Sequence, residues 1–135
     1  MEKIFVDTSA WVALFVRNDK NHHRAASIFD KIKKNNLILY TSDYVIDETI
    51  TMILTRSNHE RALITGEALL ESSFVKIIYV VPDYLQTTWE LFKKYKDKKF
   101  SFTDVSCFAI MRGLKLRQAF SFDHEFVQAG IELIG

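Results

Sequence analysis

The sequence predicts an α/β fold with a central, mainly parallel β-sheet of four to five strands flanked by helices. Short apolar segments alternate along the chain with longer segments of helical period, which is typical of parallel strands joined by helical crossovers. The 135 residues suit one domain. Because the single proline and four scattered glycines mark no linker and no repeat is visible, we expect one domain over residues 1–135.

The order of strands and helices is predicted from the hydrophobic period and from residues that favour the start of a helix. Short apolar runs predict strands at Lys3–Val6, Leu37–Tyr40, Val75–Val81, Gln118–Phe122 and Ile131–Ile134. Helical spacing predicts helices at Trp11–Val16, Asn21–Asn35, Asp43–Ser57, Glu60–Ser72, Pro82–Lys99 and Thr103–Lys115. Asp43 is expected to cap its helix, and Pro82 suits the first turn of the next one.

Composition excludes several classes of protein. Cys107 is the only cysteine, so neither an intrachain disulfide nor a cysteine-based zinc site is expected. The N-terminal segment is too short and too acidic for a signal peptide, and no apolar run approaches the ~20 residues of a membrane span. A cytoplasmic protein without membrane contact is therefore expected. The net charge of +1 neither indicates nor excludes nucleic-acid binding.

Four acidic residues are candidates for a site. Asp7 and Asp123 directly follow predicted strands, where ligands of parallel sheets bind if the strands flank the point at which strand order reverses. Asp104 begins a helix, and Glu48 lies within a largely apolar one. Each has a simpler explanation, since Asp7, Asp104 and Asp123 can cap helices or turns and Glu48 can face solvent.

Together these acids indicate a metal site. Clustered carboxylates repel one another, and hard divalent cations such as Mg²⁺ relieve the repulsion and prefer oxygen ligands. A pair of such ions can activate water and stabilise the leaving oxygen in phosphodiester cleavage. A set made only of carboxylates suits this chemistry and does not suit structural zinc.

The ordered set of acidic motifs resembles the PIN domains. The matching segments are Phe5–Trp11, Asp47–Thr49, Ser101–Asp104 and Phe120–Phe126 with the following Ala129–Ile131, so the resemblance covers essentially the whole chain. Size and pattern are most similar to the VapC-like toxins of toxin–antitoxin pairs. The resemblance implies an endoribonuclease that uses Mg²⁺ or Mn²⁺, with two ions expected, forms a homodimer and is held inactive by a small VapB-like antitoxin.

The resemblance also assigns roles to residues by position. It implies that Asp7, Glu48, Asp104 and Asp123 are the catalytic metal ligands. Thr8, Ser9 and Ser121 are expected to support that site; Ser121 stands where the family often has threonine and keeps the hydroxyl. The apolar segments Ile46–Leu54 and Glu60–Leu70 are expected to contribute to dimer and antitoxin contacts.

Basic residues near the third motif are candidates for RNA contact. Lys98 and Lys99 belong to a lysine-rich run that leads towards Asp104, and Arg112 lies two helical turns beyond it. They would give salt-sensitive, sequence-independent affinity. The alternative for the lysines is a solvated helix end, which the helix dipole favours.

Three other functions fit parts of the pattern. A signalling receiver domain has a similar length and an acidic pocket, but needs an aspartate after its third strand and a lysine after its last. The third predicted strand leads into Pro82-Asp83 and no lysine follows the last strand, which argues against a receiver. A PIN nuclease of RNA maturation, or a non-catalytic RNA-binding protein of PIN-like fold, remains as an alternative to the toxin.

Overall fold

A five-stranded sheet organises the computed structural model, which describes residues 2–134. The strands are β1 (Lys3–Val6), β2 (Ile38–Ser42), β3 (Val75–Ile78), β4 (Gln118–Phe120) and β5 (Glu132–Leu133). Their order is β3-β2-β1-β4-β5, and each neighbouring pair is parallel. The predicted α/β class is confirmed.

Helices connect the strands. They are α1 (Thr8–Phe15), α2 (His22–Lys34), α3 (Asp43–Arg56), α4 (His59–Leu70), α5 (Pro82–Lys94), α6 (Phe102–Gly113) and the short α7 (Glu125–Gln128). Helix α3 packs on α1 and α4, and α5 packs on α6. Within residues 2–134, no helix is long and apolar enough to cross a bilayer.

The core is built around β1, the central strand. Ile4, Phe5 and Val6 are fully buried, and helix α6 contributes an almost continuous buried run from Asp104 to Met111. A central parallel strand is covered on both faces, which explains why β1 is apolar at every position from Ile4 to Val6 instead of alternating. These two elements therefore carry Asp7 and Asp104 on rigid supports.

The strand order places a topological switch point between β1 and β4. From β1 the chain proceeds to β2 and β3 on one side, and it returns to the other side of β1 with β4 and β5. Ligands of such sheets bind beyond the carboxyl ends of the strands at this point. Receiver domains have the order 2-1-3-4-5 instead, so the receiver alternative is wrong for this chain.

Two strands end earlier than predicted because side chains take over their backbone hydrogen bonds. The predicted strand to Val81 ends at Ile78, and the Val80 N–H donates to the Asp43 carboxylate at 2.9 Å. The predicted strand to Phe122 ends at Phe120, and the Phe122 N–H donates to the Ser9 hydroxyl at 2.9 Å. Asp43 is thus not the cap of α3; Ser42 is, with its hydroxyl accepting from the Val45 N–H.

The helix predicted to reach Lys99 ends at Lys94. Tyr95 leaves helical geometry, and its ring packs edge-on against Phe100 and Phe108 with centroids 4.8 and 6.4 Å away. The Lys98 N–H then donates to the Tyr95 carbonyl in a turn. Burial of these aromatic rings therefore overrides the helical propensity of the lysine-rich segment.

Candidate active site

A cleft of about 600 Å³ opens beyond the carboxyl ends of β1 and β4. The four predicted acids, Asp7, Glu48, Asp104 and Asp123, all line it. They come from the end of β1, from α3, from the start of α6 and from the segment after β4. The tertiary structure thus gathers residues that are up to 116 positions apart (7 to 123).

Asp7 lies at the floor of the cleft and is only 3% exposed. Its N–H donates to the Phe120 carbonyl at 3.0 Å, which continues the β1–β4 pairing into the site. Asp7 is the N-cap residue of α1, yet its side chain makes no capping hydrogen bond. Its Oδ2 instead accepts from the hydroxyls of Ser121, at 2.9 Å, and Ser9, at 3.1 Å. The carboxylate is therefore directed towards the cleft.

Burial raises the pKa of Asp7 from 3.8 to about 7. Desolvation disfavours the charged form and is the largest cause, and the negative charge of Asp104 acts in the same direction. Hydrogen bonding, chiefly from Ser121, partly offsets it. A carboxylate that caps a helix accepts backbone N–H groups, which lower its pKa. The raised pKa of Asp7 therefore fits a carboxylate whose charge is neutralised by a bound cation.

Ser9 and Ser121 connect the start of α1 to the segment that follows β4. The Ser9 hydroxyl accepts from the Phe122 N–H, and the Ser121 hydroxyl accepts from the Asp123 N–H at 3.0 Å. Both hydroxyls also donate to Asp7 Oδ2. Thr8 differs: its hydroxyl is buried and has no hydrogen-bond partner within residues 2–134.

Asp104 both caps a helix and lines the cleft, the two roles that its sequence position allowed. Its Oδ2 accepts from the Ser101 N–H at 3.1 Å, and the Ser101 hydroxyl accepts from the Asp104 N–H at 3.0 Å, which forms a capping box at the start of α6. One oxygen is thus used to hold the side chain while the residue still lines the cleft. Glu48 is half-buried on α3 and also lines the cleft, so it does not simply face solvent.

Two cleft carboxylates were not among the predicted site residues: Asp19, which pairs with Arg56, and Glu125, which lies beside the predicted acids. Oxygens of Asp104, Asp123 and Glu125 lie within 4.8 Å of one another. The hydrogen bond with Asp104 and, to a lesser extent, burial and the other carboxylates raise the pKa of Glu125 to about 7. Its N–H also donates to Asp123 Oδ1 at 3.0 Å. The sequence feature that could have identified Glu125 is its position, two residues after Asp123 and just before the buried Phe126.

Cys107 lies beneath this group of acids. Burial, followed by the charges of Asp7, Asp104 and Glu48, raises the pKa of its thiol well above 9. Because a thiolate is the nucleophilic form, this cysteine is chemically inert here and acts as a core residue.

The predicted RNA-contact residues do not line the cleft. Lys98 and Lys99 are exposed before α6, and Lys98 lies 3.9 Å from the Asp97 carboxylate. Arg112 is near the end of α6, which leads to the amino end of β4, the edge of the sheet opposite the cleft. Among the described residues, the lysine and arginine that do line the cleft are Lys20 and Arg56.

Comparisons with known proteins agree with this fold. The family profile described as the PIN domain matches residues 4–132. The 23S rRNA-specific endonuclease VapC20 of Mycobacterium tuberculosis is 33% identical over 127 residues, 94% of each chain. The crystal structure of VapC20 from that organism, described as a sarcin–ricin loop cleaving toxin, superposes with a TM-score of 0.88 at 31% identity and covers 95% of each chain.

A more distant solved structure shares the fold. VapBC2 from Rickettsia felis, bound to a DNA fragment from its promoter, gives a TM-score of 0.72 at 12% identity and covers 98% of this chain and 97% of the other. The profile match over nearly the whole chain, the identity to VapC20 and the five-stranded parallel sheet lead to one assignment. The chain belongs to the PIN-domain family and is VapC-like.

Proposed function

We propose that this protein is a metal-dependent endoribonuclease and the toxin of a VapBC-type toxin–antitoxin pair. The observation that carries the proposal is the group formed by Asp7, Glu48, Asp104, Asp123 and Glu125, five carboxylates that four separate parts of the fold contribute to one cleft. The sixth carboxylate of the cleft, Asp19, is paired with Arg56. None of the ion pairs formed within residues 2–134 involves any of the five. Similarity to VapC20, a 23S rRNA-specific endonuclease and toxin, supports nuclease activity and the toxin assignment.

The residues of the cleft fit a divalent cation. The donors are all oxygens, which Mg²⁺ and Mn²⁺ prefer. Two observations suggest a missing positive partner: the raised pKa of Asp7, and the Thr8 hydroxyl, which is buried at the cleft wall without a partner among the described residues. Asp7, Glu48, Asp104 and Asp123 would hold the metal, with Glu125 as an additional ligand. Two Mg²⁺ or Mn²⁺ ions, when bound, would supply an activated water and stabilise the leaving oxygen.

The chain itself supplies position and orientation. Ser9 and Ser121 hold Asp7 Oδ2, and the capping box holds Asp104 at the start of α6. These bonds restrict the carboxylates to rotamers that face the cleft, so little reorganisation is needed when substrate enters. The Asp123 carboxylate is held in the same way by the Glu125 N–H.

RNA is the proposed substrate. VapC20 of Mycobacterium tuberculosis is a 23S rRNA-specific endonuclease and a sarcin–ricin loop cleaving toxin. An identity of 33% over almost the full chain supports rRNA as the first substrate to test here. Because loops expose unstacked bases and backbone, a structured RNA with single-stranded loops suits an open cleft.

A VapB-like antitoxin and a second copy of the chain are the proposed partners. Several large apolar side chains are exposed on α3, α4 and the segment that follows, namely Leu54, Leu63, Ile64, Leu70 and Phe74, with Phe74 79% exposed. Exposed apolar residues at this density indicate a surface covered by a partner. This surface overlaps the segments expected from sequence. An RNA substrate and a VapB-like partner imply action in the cytoplasm.

Cleavage of rRNA by purified protein tests the proposal. Ribosomal RNA is incubated with the protein in Mg²⁺, in Mn²⁺ and in excess EDTA, beside Asp7→Asn and Asp104→Asn variants. Asp83→Asn is the matched control, because Asp83 is an exposed acid on α5 outside the cleft. We expect cutting that requires metal, is lost in both site variants and persists in the control. Cutting that survives in EDTA or in both site variants would refute the assignment.

A further inference from the structure

We propose that Arg56 and Lys20 form an RNA-phosphate subsite on the wall of the cleft, with Asp19 as the positioning residue for Arg56. This proposal rests on the nuclease function above and names a substrate contact of the same cleft. Lys20 lies in the loop between α1 and α2, and Arg56 is the last residue of α3. Both line the cleft, whereas the basic residues expected from sequence do not.

The face of helix α3 sets the distance between the acids and the subsite. Glu48, Met52 and Arg56 are spaced by four residues, which places them on one face of the helix, and all three line the cleft. Eight residues of helix span ~12 Å, so Arg56 lies about two turns from the acidic end of the cleft. A phosphate bound at Arg56 is therefore one that flanks the scissile phosphate, further along the same strand.

Arg56 is held in place by Asp19. The Nη1 atom of Arg56 lies 3.1 Å from Asp19 Oδ2. The Asp19 side chain is 11% exposed, whereas that of Arg56 is 43% exposed. Asp19 is itself fixed, because its Oδ1 accepts from the Asn21 N–H at 2.8 Å and its carbonyl accepts from the His22 N–H at 3.0 Å. The planar guanidinium has five N–H donors, so the remaining ones stay available for a phosphate.

Local charge favours an anion at this wall. Asp19 balances Arg56, and Lys20 adds one positive charge; Lys20 is exposed and takes part in none of the ion pairs formed within residues 2–134. The acidic floor repels the RNA backbone, so a cation on one wall gives the strand a preferred path into the cleft. Arg56 also ends a helix, where the helix dipole favours a positive side chain.

Equilibrium binding of RNA in EDTA tests the subsite separately from cleavage. The probe is a fluorescein-labelled 20-nucleotide poly(U), because phosphate contacts do not depend on sequence. We expect Arg56→Gln and Lys20→Gln each to weaken binding ~5- to 10-fold and to reduce the slope of log affinity against log salt by about 0.7. Arg61→Gln is the matched control, since Arg61 lies half-buried on α4 outside the cleft, and its binding should equal that of the wild type.

A kinetic comparison tests the positioning role of Asp19. Asp19→Asn keeps an oxygen for the Asn21 N–H but removes the charge that orients Arg56. We expect kcat/KM for RNA cleavage to fall at least threefold, while the salt slope of poly(U) binding does not decrease because no cation is lost. A merely electrostatic role for Asp19 would instead produce tighter binding and faster cleavage.

The outcomes separate this proposal from the nuclease assignment. Wild-type affinity and salt slope in both Arg56→Gln and Lys20→Gln, with melting temperatures unchanged, would overturn the subsite even if the protein cuts RNA. Unchanged kcat/KM in Asp19→Asn would overturn the positioning role. Absence of metal-dependent cutting by the wild type would contradict the nuclease function and leave the binding results to decide the subsite.

Discussion

Replacement of Asp7 by asparagine should stabilise the metal-free protein at alkaline pH. The carboxyl group is 3% exposed, and burial raises its pKa from 3.8 to about 7. Asparagine keeps an oxygen that can accept from Ser9 and Ser121, and it removes the buried charge. Loss of a buried, unpaired charge is expected to increase the free energy of unfolding.

The sign of the pH dependence follows from the direction of the pKa shift. The folded state holds the Asp7 proton more tightly than the unfolded state, so the stabilising effect of protonation is fully present below pH 3.8 and is lost as pH rises through about 7. A shift of close to three pKa units at about 1.4 kcal/mol per unit gives an upper bound of about 4 kcal/mol. Relaxation and water entry reduce this to roughly 2–4 kcal/mol.

Thermal and urea unfolding in EDTA measure the effect at pH 8.0 and pH 5.5. At the alkaline pH, Asp7→Asn should melt on the order of 10 °C above the wild type. At pH 5.5 the folded carboxyl is protonated, but the unfolded one, with a pKa of 3.8, is already ionised, so the difference should fall to roughly half of its size at pH 8.0 and vanish only below pH 3.8. Asp83→Asn, an exposed control, should follow the wild type at both values. Added Mg²⁺ should reverse the order at pH 8.0, because ligand binding stabilises only the protein that keeps the site.

Two results would refute this reasoning. One is an Asp7→Asn variant that is no more stable than the wild type at pH 8.0 without metal. The other is a stability difference of the same size at both pH values, which would show that the effect does not come from ionisation of Asp7.

Three further predictions follow from the contacts of the site and of the exposed apolar surface. Ser121→Ala removes a donor to Asp7 and leaves the Asp123 N–H without its acceptor, so urea unfolding should show a loss of about 1–3 kcal/mol; wild-type stability would contradict these hydrogen bonds. Glu125→Gln should weaken Mn²⁺ binding, followed by titration calorimetry, about 10- to 100-fold with little change in melting temperature; wild-type Mn²⁺ affinity would exclude Glu125 as a ligand. Leu63→Glu on the exposed face of α4 should leave rRNA cleavage intact and abolish association with the antitoxin or with a second copy in size-exclusion chromatography; unchanged elution would place the partner elsewhere.

The acidic residues illustrate how far sequence reasoning reaches. Asp7 and Asp123 could be placed at the end of the sheet because each directly follows an apolar strand, and parallel strands end at a common edge. That they share a cleft depended on β1 and β4 being neighbours, which the structure confirms. Glu125 could not be assigned in the same way, because its approach to Asp104 depends on how the turn after β4 packs against α6.

The ends of several strands and helices are set by side chains that compete for backbone hydrogen bonds or for burial. The hydrophobic period of the sequence does not predict such contacts. Val80 and Phe122 leave the strand ladders because Asp43 and Ser9 accept their N–H groups. The lysine-rich segment has good helical propensity, yet α5 ends at Lys94 because the Tyr95 ring is drawn into an aromatic cluster. In each case a side-chain contact outweighs a local backbone preference.

The basic residues show most clearly which features the sequence predicts and which depend on the tertiary structure. Sequence proximity to Asp104 favoured Lys98 and Lys99, whereas the cleft is lined by Lys20 and Arg56, which are far from Asp104 along the chain. The sequence by itself determined the α/β class and the order of elements and indicated four acids as candidates, because these depend on hydrophobic period and on residues adjacent to strand ends. Only the tertiary structure decided which charges face one another across the cleft, because that depends on helix packing and loop contacts between residues distant in sequence.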